Sequence, residues 1–436
     1  MKNFLKKFIP DFILYWYHWK WAFFSAVVFG WPSRKIKVIG VTGTKGKSTV
    51  VVLAGRVLAE KFSTSSNNKP HVGWISSLTI NDGKKEIMNP FHMTMPGRFF
   101  IQQTLRRMVK NGCKYALVEV TSEGIKQHRH RFIKWAGAVF TNLAPEHLET
   151  HGGFEGYRAA KEKLFAAASK NKESFGVYNL DDENVEWFLK YDIRKKYGYG
   201  RGEQSTNYKN QTKHNLQITN MRLEADGSRF EINGVKFETK LLGEFNVYNA
   251  AAAVAVGLAQ NVPLEAAQAV LAKIRAIPGR LEMINEGQDF TIVVDLAHTP
   301  DSFEKVFMLF KSLPHNKIIS VFGSAGGGRD KWKRSELGKI ASQYSDQIFI
   351  TNEDPYDEDP LSIAEAILAG GDKNKTDIIL DRREAIAKGL SLARTGDIVL
   401  ILGKGTEQTY IEGKKKIEWD DRLVARQELQ KIQKRV

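Results

Sequence analysis

Between Gly43 and Thr49 the chain reads GTKGKST, a turn whose residue types suit an anion. Gly43 and Gly46 let backbone N–H groups close on a phosphate, Lys47 supplies a point charge, and Ser48 or Thr49 can offer a hydroxyl to Mg²⁺. Thr44 and Lys45 fill the loop between the glycines. The apolar run VIGVT from Val38 enters this turn, and an amphipathic helical pattern running to Phe62 leaves it. A helix start placed there adds its positive dipole end to the loop. The spacing departs from the common nucleotide loop, because Val41 stands where a glycine would lie five residues before Gly46. The stretch is a shortened phosphate loop.

Other polar residues fall where chemistry could use them. Glu119 closes the apolar run YALVEV, Tyr115 to Val120. Downstream, FTNLAPEHLETHGGFEGYRAAKEKLF spans Phe140 to Phe165. In its helical part Phe154, Tyr157, Lys161, Leu164 and Phe165 recur at helical spacing and share one face. Lys161 therefore lies on an apolar stripe and Lys163 does not. A lysine so placed must be desolvated, paired or modified, unless it snorkels from the stripe's edge.

These residues need a scaffold that gathers strand ends. From Val38 to Leu189 strand-like runs alternate with helical patterns, which predicts an α/β fold with a parallel sheet wrapped by helices. In such sheets ligands bind at the carboxyl ends of the strands. The polar stretch from Gly200 to Asn215 reads as a loop, and Asp226-Gly227 and Asn233-Gly234 are hairpin signals. Ala250 to Ala259 reads as a tightly packed helix. Near Pro278-Gly279 a second, smaller Rossmann-like α/β pattern starts, with strands at 291–297, 317–323, 347–353 and 397–403. The division predicted is 1–35 as an aromatic and basic N-terminal helix, 36–279 as the central nucleotide-binding domain and 280–436 as a C-terminal domain.

The 436 residues, 42% apolar and 26% charged, are those of a multi-domain globular protein. A net charge of +16 points to an anionic partner. No nucleic-acid motif and no interleaving of aromatic with basic residues accompanies it, so phosphorylated small molecules are expected rather than nucleic acid. Cys113 is the only cysteine, which excludes an intrachain disulfide and a cysteine metal cluster and suits a reducing, cytoplasmic compartment. Residues 12–31 read FILYWYHWKWAFFSAVVFGW between the basic start MKNFLKKF and Arg34, Lys35 and Lys37. The length just matches the ~20 residues a spanning helix needs. Lys20 near the centre opposes spanning, at roughly 2.5–3.5 kcal/mol. Tryptophan and tyrosine flanked by cations suit a helix lying in a membrane interface on the inner face, the alternative being a helix packed on the protein's own core.

The ordered set GTKGKST, EVTSE, FTNLAPEHLETHG, YRAAKEKLF, YNLDDE, GEFNVYNAAAA, IPGRLE, VVDLAHTPDS, FGSAGGGRDKWKR, DRREAI and GKGTEQ resembles the Mur ligase family. It is most similar to the branch that adds the third peptide residue to the peptidoglycan precursor. The resemblance runs from Lys37 to about Arg422. It implies an ATP-dependent, ADP-forming acid–amino-acid ligase of cell-wall synthesis, working through an acyl phosphate with Mg²⁺ at two sites. Position by position, it implies that Lys47 holds ATP phosphates and that Ser48 and Glu119 hold one Mg²⁺. His151 would hold a second, together with a carbamylated Lys161. Asn246 and Asn249 would contact the base region, and Arg280, Asp295 and His298 would belong to an ATP clamp of the C-terminal domain. Thr94, Pro96, Ser122 and Arg129 match positions near a muramoyl-peptide acceptor, and Asp354, Tyr356 and Glu407 match positions near the incoming amino acid. A monomer is expected.

Three departures from the family pattern shape further expectations. The phosphate loop begins at residue 43, where full-length relatives place a UDP-binding domain of about one hundred residues before it. The acceptor is then expected to be held by the central domain alone, or to be lipid-linked. The stretch NEDPYDEDP replaces a signature whose arginine grips diaminopimelate, so Glu353, Asp354 and Tyr356 favour a basic amine such as lysine. Glu123 and Thr406 stand where the family carries histidines. Other acceptors (a folate, a pseudomurein-type peptide) and a membrane-tethered nucleotide-binding protein without ligase turnover are the competing readings.

Overall fold

The computed structural model describes residues 10–62, 71–91, 93–146, 151–202, 211–327, 331–413 and 415–434. They form two compact units, residues 1–223 with 227–274, and residues 224–226 with 275–436.

The first unit is built on an eleven-stranded sheet. Its strands are β1 (Lys37–Thr42), β2 (Val72–Ile75), β3 (Thr79–Asn81), β4 (Glu86–Met88), β5 (Tyr115–Glu119), β6 (Trp135–Phe140), β7 (Phe175–Asn179), β8 (Lys195–Gly200), β9 (His214–Glu224), β10 (Gly227–Ile232) and β11 (Val235–Thr239). The order is β11-β10-β9-β8-β7-β6-β1-β5-β2-β3-β4. From β2 through β5, β1, β6, β7 and β8 to β9 neighbouring strands run parallel. The interior strands are apolar on both faces because helices cover both, and β1 is buried from Val38 to Thr42.

Hairpins close the sheet's ends. At Asn233-Gly234 both residues have positive φ, 49° and 83°, and Ile232 pairs with Val235. Such a two-residue turn matches the right-handed twist of the strands it joins.

Helices α1 (Asp11–Val28), α2 (Lys47–Glu60), α3 (Arg98–Lys110), α4 (Ser122–Lys126), α5 (Phe154–Ala168), α6 (Glu186–Leu189), α7 (Glu244–Ala259) and α8 (Leu264–Lys273) accompany this sheet. The alanine-rich run lies within α7, where small side chains allow the close packing that leaves Ala250 to Val256 buried. The expected loop around Gly200–Asn215 lies partly outside the described residues.

Helix α1 packs one face on the rest of its unit, as one of the two alternatives left open by the sequence expects. Ala22, Ser25 and Ala26 are buried, and Phe23 and Trp19 meet the Phe132 ring edge-on, each 5.4 Å away. The opposite face stays in solvent. Among the described residues no helix is long and apolar enough to cross a membrane.

The second unit carries β12 (Glu282–Ile284), β13 (Thr291–Asp295), β14 (Ile318–Phe322), β15 (Gln347–Ile350), β16 (Thr376–Ile378) and β17 (Ile398–Leu402) in the order β12-β13-β17-β14-β15-β16. In this sheet, among the described residues, β12 alone runs antiparallel to its neighbour. β17, late in the chain, is inserted between β13 and β14. This crossover brings the loop after β17 beside the loop after β15.

Candidate active site

Four neighbouring parallel strands, β2, β5, β1 and β6, end on the same edge of the first sheet, and each delivers polar residues there. The phosphate loop leaves β1. Gly46 has φ 80°, a left-handed conformation, and a Cβ on it would sit 2.2 Å from Asn249 Oδ1. A Cβ on Gly43 would sit 1.9 Å from Thr141 Oγ1. Both glycines are therefore required by close approach as well as by turn geometry. From the end of β6, the Thr141 hydroxyl donates to the Lys45 carbonyl at 2.7 Å, and Asn142 Oδ1 accepts from the Lys45 N–H at 2.9 Å. From α7, Asn249 donates to Asn246 Oδ1 at 3.1 Å, and Asn246 donates to the Leu242 carbonyl at 2.9 Å. The loop is thus clamped before any ligand arrives.

Helix α2 begins at Lys47 with no side chain capping its first N–H groups. Uncapped donors at a helix start form an anion site, and Lys47 Nζ lies beside it, donating to the Thr44 carbonyl at 2.7 Å. Glu119, at the end of β5, accepts from Ser48 Oγ at 2.8 Å and from Ser77 N and Oγ at 2.8 and 3.0 Å. Ser48 and Ser77 hydroxyls are 2.6 Å apart. This is an all-oxygen set of the kind a hard divalent cation prefers, so the residues fit Mg²⁺ next to a bound phosphate.

Helix α5 brings Lys161 to the other side of the loop. The side chain is 2% exposed, and Nζ donates to the Gly43 carbonyl at 2.5 Å and sits 4.4 Å over the Tyr157 ring. Lys163, off the stripe, is exposed. Burial pushes the Lys161 ammonium well below the usual lysine range, with repulsion from Lys47 added, against the opposing pull of Glu146 and Glu119. Tyr157 bonds the Thr44 hydroxyl at 3.2 Å, and the ring of His151 stands 5.5 Å from that of Tyr157. Lys45 pairs with Glu146 at 3.0 Å. Among the described residues no group of three His, Cys, Asp or Glu side chains could by itself hold a metal. Residues 147–150, which precede His151, are outside the described residues.

The four acceptor-site candidates converge as well. Arg129 donates to the Met95 carbonyl, which Thr94 and Pro96 flank, and to Gln127 Oε1 at 2.6 Å. Ser122 opens α4, whose N-cap Thr121 accepts from the Gly124 N–H at 3.1 Å. A Cβ on Gly124 would meet Met95 Sδ at 2.4 Å, so α4 lies directly against the same residue. Burial lowers the Arg129 guanidinium from its ordinary value, as it does that of Arg98 nearby. Glu123 is bonded by Gln127 Nε2 at 2.6 Å.

In the second unit Asp295, at the end of β13, accepts from the N–H groups of Leu281 and Ala297 at 2.8 and 2.7 Å. Arg280 stands next to Leu281 in sequence, and His298 Nδ1 bonds the Leu296 carbonyl at 2.7 Å. Asp354, read from sequence as one of the acids that draw in a basic substrate, already holds a cation. Lys404 Nζ donates to both its carboxylate oxygens at 3.0 Å and to Glu407 at 2.9 Å. The Ile411 N–H adds a third donor to Asp354. Tyr356 takes φ 54° beside Gly327, and Thr406 is 8% exposed.

Ser77, Thr141, Asn142 and Lys404 escaped the sequence reading. The signal for Ser77 was present: polar Ser76-Ser77 ends the apolar run VGWI, the same pattern that singled out Glu119.

A clamped, uncapped phosphate loop with an oxygen metal set and a buried lysine is the arrangement of a nucleotide-dependent transferase or ligase. The sequence profiles described as "Mur ligase middle domain" and "Mur ligase, glutamate ligase domain" match residues 41–257 and 279–405. The chain belongs to the Mur ligase family, whose members are ATP-dependent, Mg²⁺-using enzymes that form amide bonds. It is 38% identical to the UDP-N-acetylmuramyl-tripeptide synthetase of Borreliella afzelii over 94% of this chain and 80% of that protein. It is 35% identical to the UDP-N-acetylmuramoyl-L-alanyl-D-glutamate–2,6-diaminopimelate ligase of Syntrophomonas wolfei over 93% and 80%. A solved structure of a diaminopimelate ligase of that name superposes with a TM-score of 0.60 at 27% identity, over 91% of this chain and 78% of the other. Mycobacterium tuberculosis folylpolyglutamate synthase shares the fold with a TM-score of 0.68 at 16% identity, over 88% and 91%.

Proposed function

We propose that this ligase adds an amino acid to a muramoyl-peptide acceptor of peptidoglycan synthesis. The observation that carries the reading is Lys161: a lysine buried on an apolar helix face, touching the Gly43 carbonyl of the phosphate loop whose other flank is Ser48 and Glu119. It is supported by relatives named for muramyl-peptide ligation at 35–38% identity over most of the chain.

In the proposed chemistry the acceptor's carboxylate attacks the γ-phosphate of ATP, giving an acyl phosphate and ADP. The amine of the incoming amino acid then attacks the acyl carbon, and the tetrahedral intermediate expels phosphate to leave an amide. The first step brings two anions together, so its barrier is electrostatic. Lys47 and the uncapped start of α2 hold the phosphates. Ser48 and Glu119 would hold one Mg²⁺, which when bound screens the repulsion and polarises the γ-phosphoryl group. Lys161 reaches its second role through its neutral amine: Nζ adds to CO₂ and loses a proton, so a cation becomes a carboxylate beside His151. Those two residues would hold a second Mg²⁺. Asn246 and Asn249 are proposed on the nucleotide, and Thr94, Pro96, Ser122 and Arg129 on the acceptor. In the second unit Tyr356 and Glu407 are proposed on the amino acid, with Asp354 fixing Lys404 beside them. The protein acts as a monomer, and its N-terminal 1–35 segment, of which residues 10–35 are described, contacts a membrane from the cytoplasmic side.

The decisive experiment incubates the protein with ATP, Mg²⁺, UDP-muramoyl-dipeptide and a pool of amino acids. ADP release that depends on the acceptor, with one amino-acid mass added to it, is expected. ADP release only with a folate or pseudomurein-type acceptor would replace the proposed substrate. ¹³C-bicarbonate labelling should give a carbamate NMR signal that Lys161→Met abolishes.

A further inference from the structure

Helix α1 leaves a broad apolar face in solvent. Phe12, Trp16, Tyr17 and Val28 are 65%, 61%, 53% and 52% exposed. Single exposed apolar side chains are ordinary, but a contiguous helical face of them marks an interaction site. The helix is not free to bury this face by turning over. Leu14, His18, Trp19, Ala22, Ser25 and Ala26 form the opposite stripe, which faces inward. His18 Nδ1 bonds Arg98 at 2.5 Å, Tyr15 bonds Arg131 at 3.1 Å, and the aromatic rings lock on Phe132 and Phe99. The outward face is therefore fixed in place along a helix roughly 27 Å long.

Its chemistry selects the occupant. Tryptophan and tyrosine on the outer face have an apolar body and a polar edge, which suits the headgroup boundary of a bilayer. Lys20 lies on the exposed side, one helical turn from both Trp16 and Phe24, where its stem can lie on the apolar surface while the ammonium reaches outward. Arg34 and Lys35 are exposed just past the helix. Asp11 is the only acid among residues 1–37, against seven lysines and arginines. A second copy of the chain fits poorly. A two-fold contact sets the face against itself, and Lys20 would enter an apolar seam that offers no acid to receive it.

We propose that the outer face of α1 docks on the surface of an anionic bilayer, with Phe12, Trp16 and Val28 entering the headgroup boundary and Lys20, Arg34 and Lys35 contacting lipid phosphates. The proposal rests on the reading of residues 1–35 as a membrane contact and specifies its face and lipid class. The inner edge of the same helix touches Arg98 and Arg131, close in the chain to Arg129. Docking would thus hold the acceptor-site candidates near the membrane that carries lipid-borne precursors.

The test is co-sedimentation of the full chain with vesicles of phosphatidylcholine alone or of three parts phosphatidylcholine to one part phosphatidylglycerol. Binding at least about tenfold stronger to the anionic vesicles is expected, weakening as salt is raised. Combined Phe12→Ser, Trp16→Ser and Val28→Ser should abolish it. Combined Lys20→Glu, Arg34→Glu and Lys35→Glu should reduce anionic binding to about the phosphatidylcholine level, and Met308→Ser, an exposed apolar residue of the second unit, should change nothing. The charge-reversal variant keeps the test valid should the serine variant fail to fold, as judged by circular dichroism. Equal binding to both vesicles overturns the anionic docking and leaves the membrane reading standing; binding to neither overturns both. A concentration-dependent dimer dispersed by the serine substitutions assigns the face to a second copy and overturns the proposal.

Discussion

Lys161 in the first unit and Lys404 in the second are buried to the same depth, 2% and 0% exposed, yet their surroundings treat the charge in opposite ways. Lys404 is met by Asp354 and Glu407, with Glu353 close by, and these acids raise its pKa against the effect of burial. The same unit pairs Arg382 with Asp421 at 2.7 Å, both buried. Lys161 has a backbone carbonyl and an aromatic face, and among the described residues no carboxylate lies within ion-pair distance. There burial prevails, and the ammonium is pushed well below the usual lysine range. A cation supplied with acids is part of the scaffold. A lysine buried without an ion-pair partner has its ammonium disfavoured by burial, and the two differ in what their loss should cost.

Replacing Lys161 with methionine, similar in length and apolar, should lower ligase turnover by about 10²–10³-fold, the usual cost of removing one preorganised group that stabilises transferring charge. The melting temperature should hold or rise, because no charge pair is broken. Lys404→Met should do the reverse to the fold. It leaves Asp354 and Glu407 without their cation, next to the buried Glu353, and should cost about 3–5 kcal/mol, read as a fall in denaturation midpoint. If both variants lose equal stability, the distinction between the two lysines is wrong.

How much of this contrast could be read in advance differs for the two residues. Lys161 was legible because helical periodicity is local: Tyr157, Leu164 and Phe165 define the stripe within eleven residues. The phosphate loop and the strand-end position of Glu119 were legible for the same reason. The Lys404–Asp354 pair was not, because fifty residues separate them and their meeting depends on β17 being inserted between β13 and β14. Asp354 therefore looked like an open acid. Asn142 and Thr141, which clamp the loop, are equally long-range. In α1 the sequence is apolar on every side, so periodicity could not say which face packs on Phe132 and which is left to solvent.

The two units should also part on acidification. In the first unit His128 and His130 are buried, and burial with nearby Arg131 lowers their pKa values to about 4 and about 3, from 6.5. Their folded pKa values lie below the unfolded value. The stability they contribute is complete above pH 6.5 and is lost as pH falls through that window towards 4 and 3. In the second unit Asp421 is depressed below 3.8 chiefly by Arg382, overcoming burial, so its contribution survives until pH falls below 3.8. Hydrogen exchange at pH 4.5 should show the first unit opening while the second stays protected, and His130→Gln should narrow the gap. Uniform loss of protection would remove the contrast.

The smallest effect probes how the Lys404 cation is shared. Asp354→Asn keeps the shape and one acceptor oxygen, and Glu407 still holds Lys404 at 2.9 Å. What is lost is one charge-assisted contact, and because Lys404 donates to both carboxylate oxygens, the amide nitrogen faces that donor in either orientation. About 1–3 kcal/mol of stability should go, less than for Lys404→Met. Because the two residues touch, their effects should not add. In a double-mutant cycle the combined variant should be more stable than the sum of the single losses predicts, by about 0.5–3 kcal/mol, since removing both partners leaves neither charge stranded. Strict additivity would mean that Glu407 alone neutralises Lys404, and the bidentate contact would then be geometry without energy.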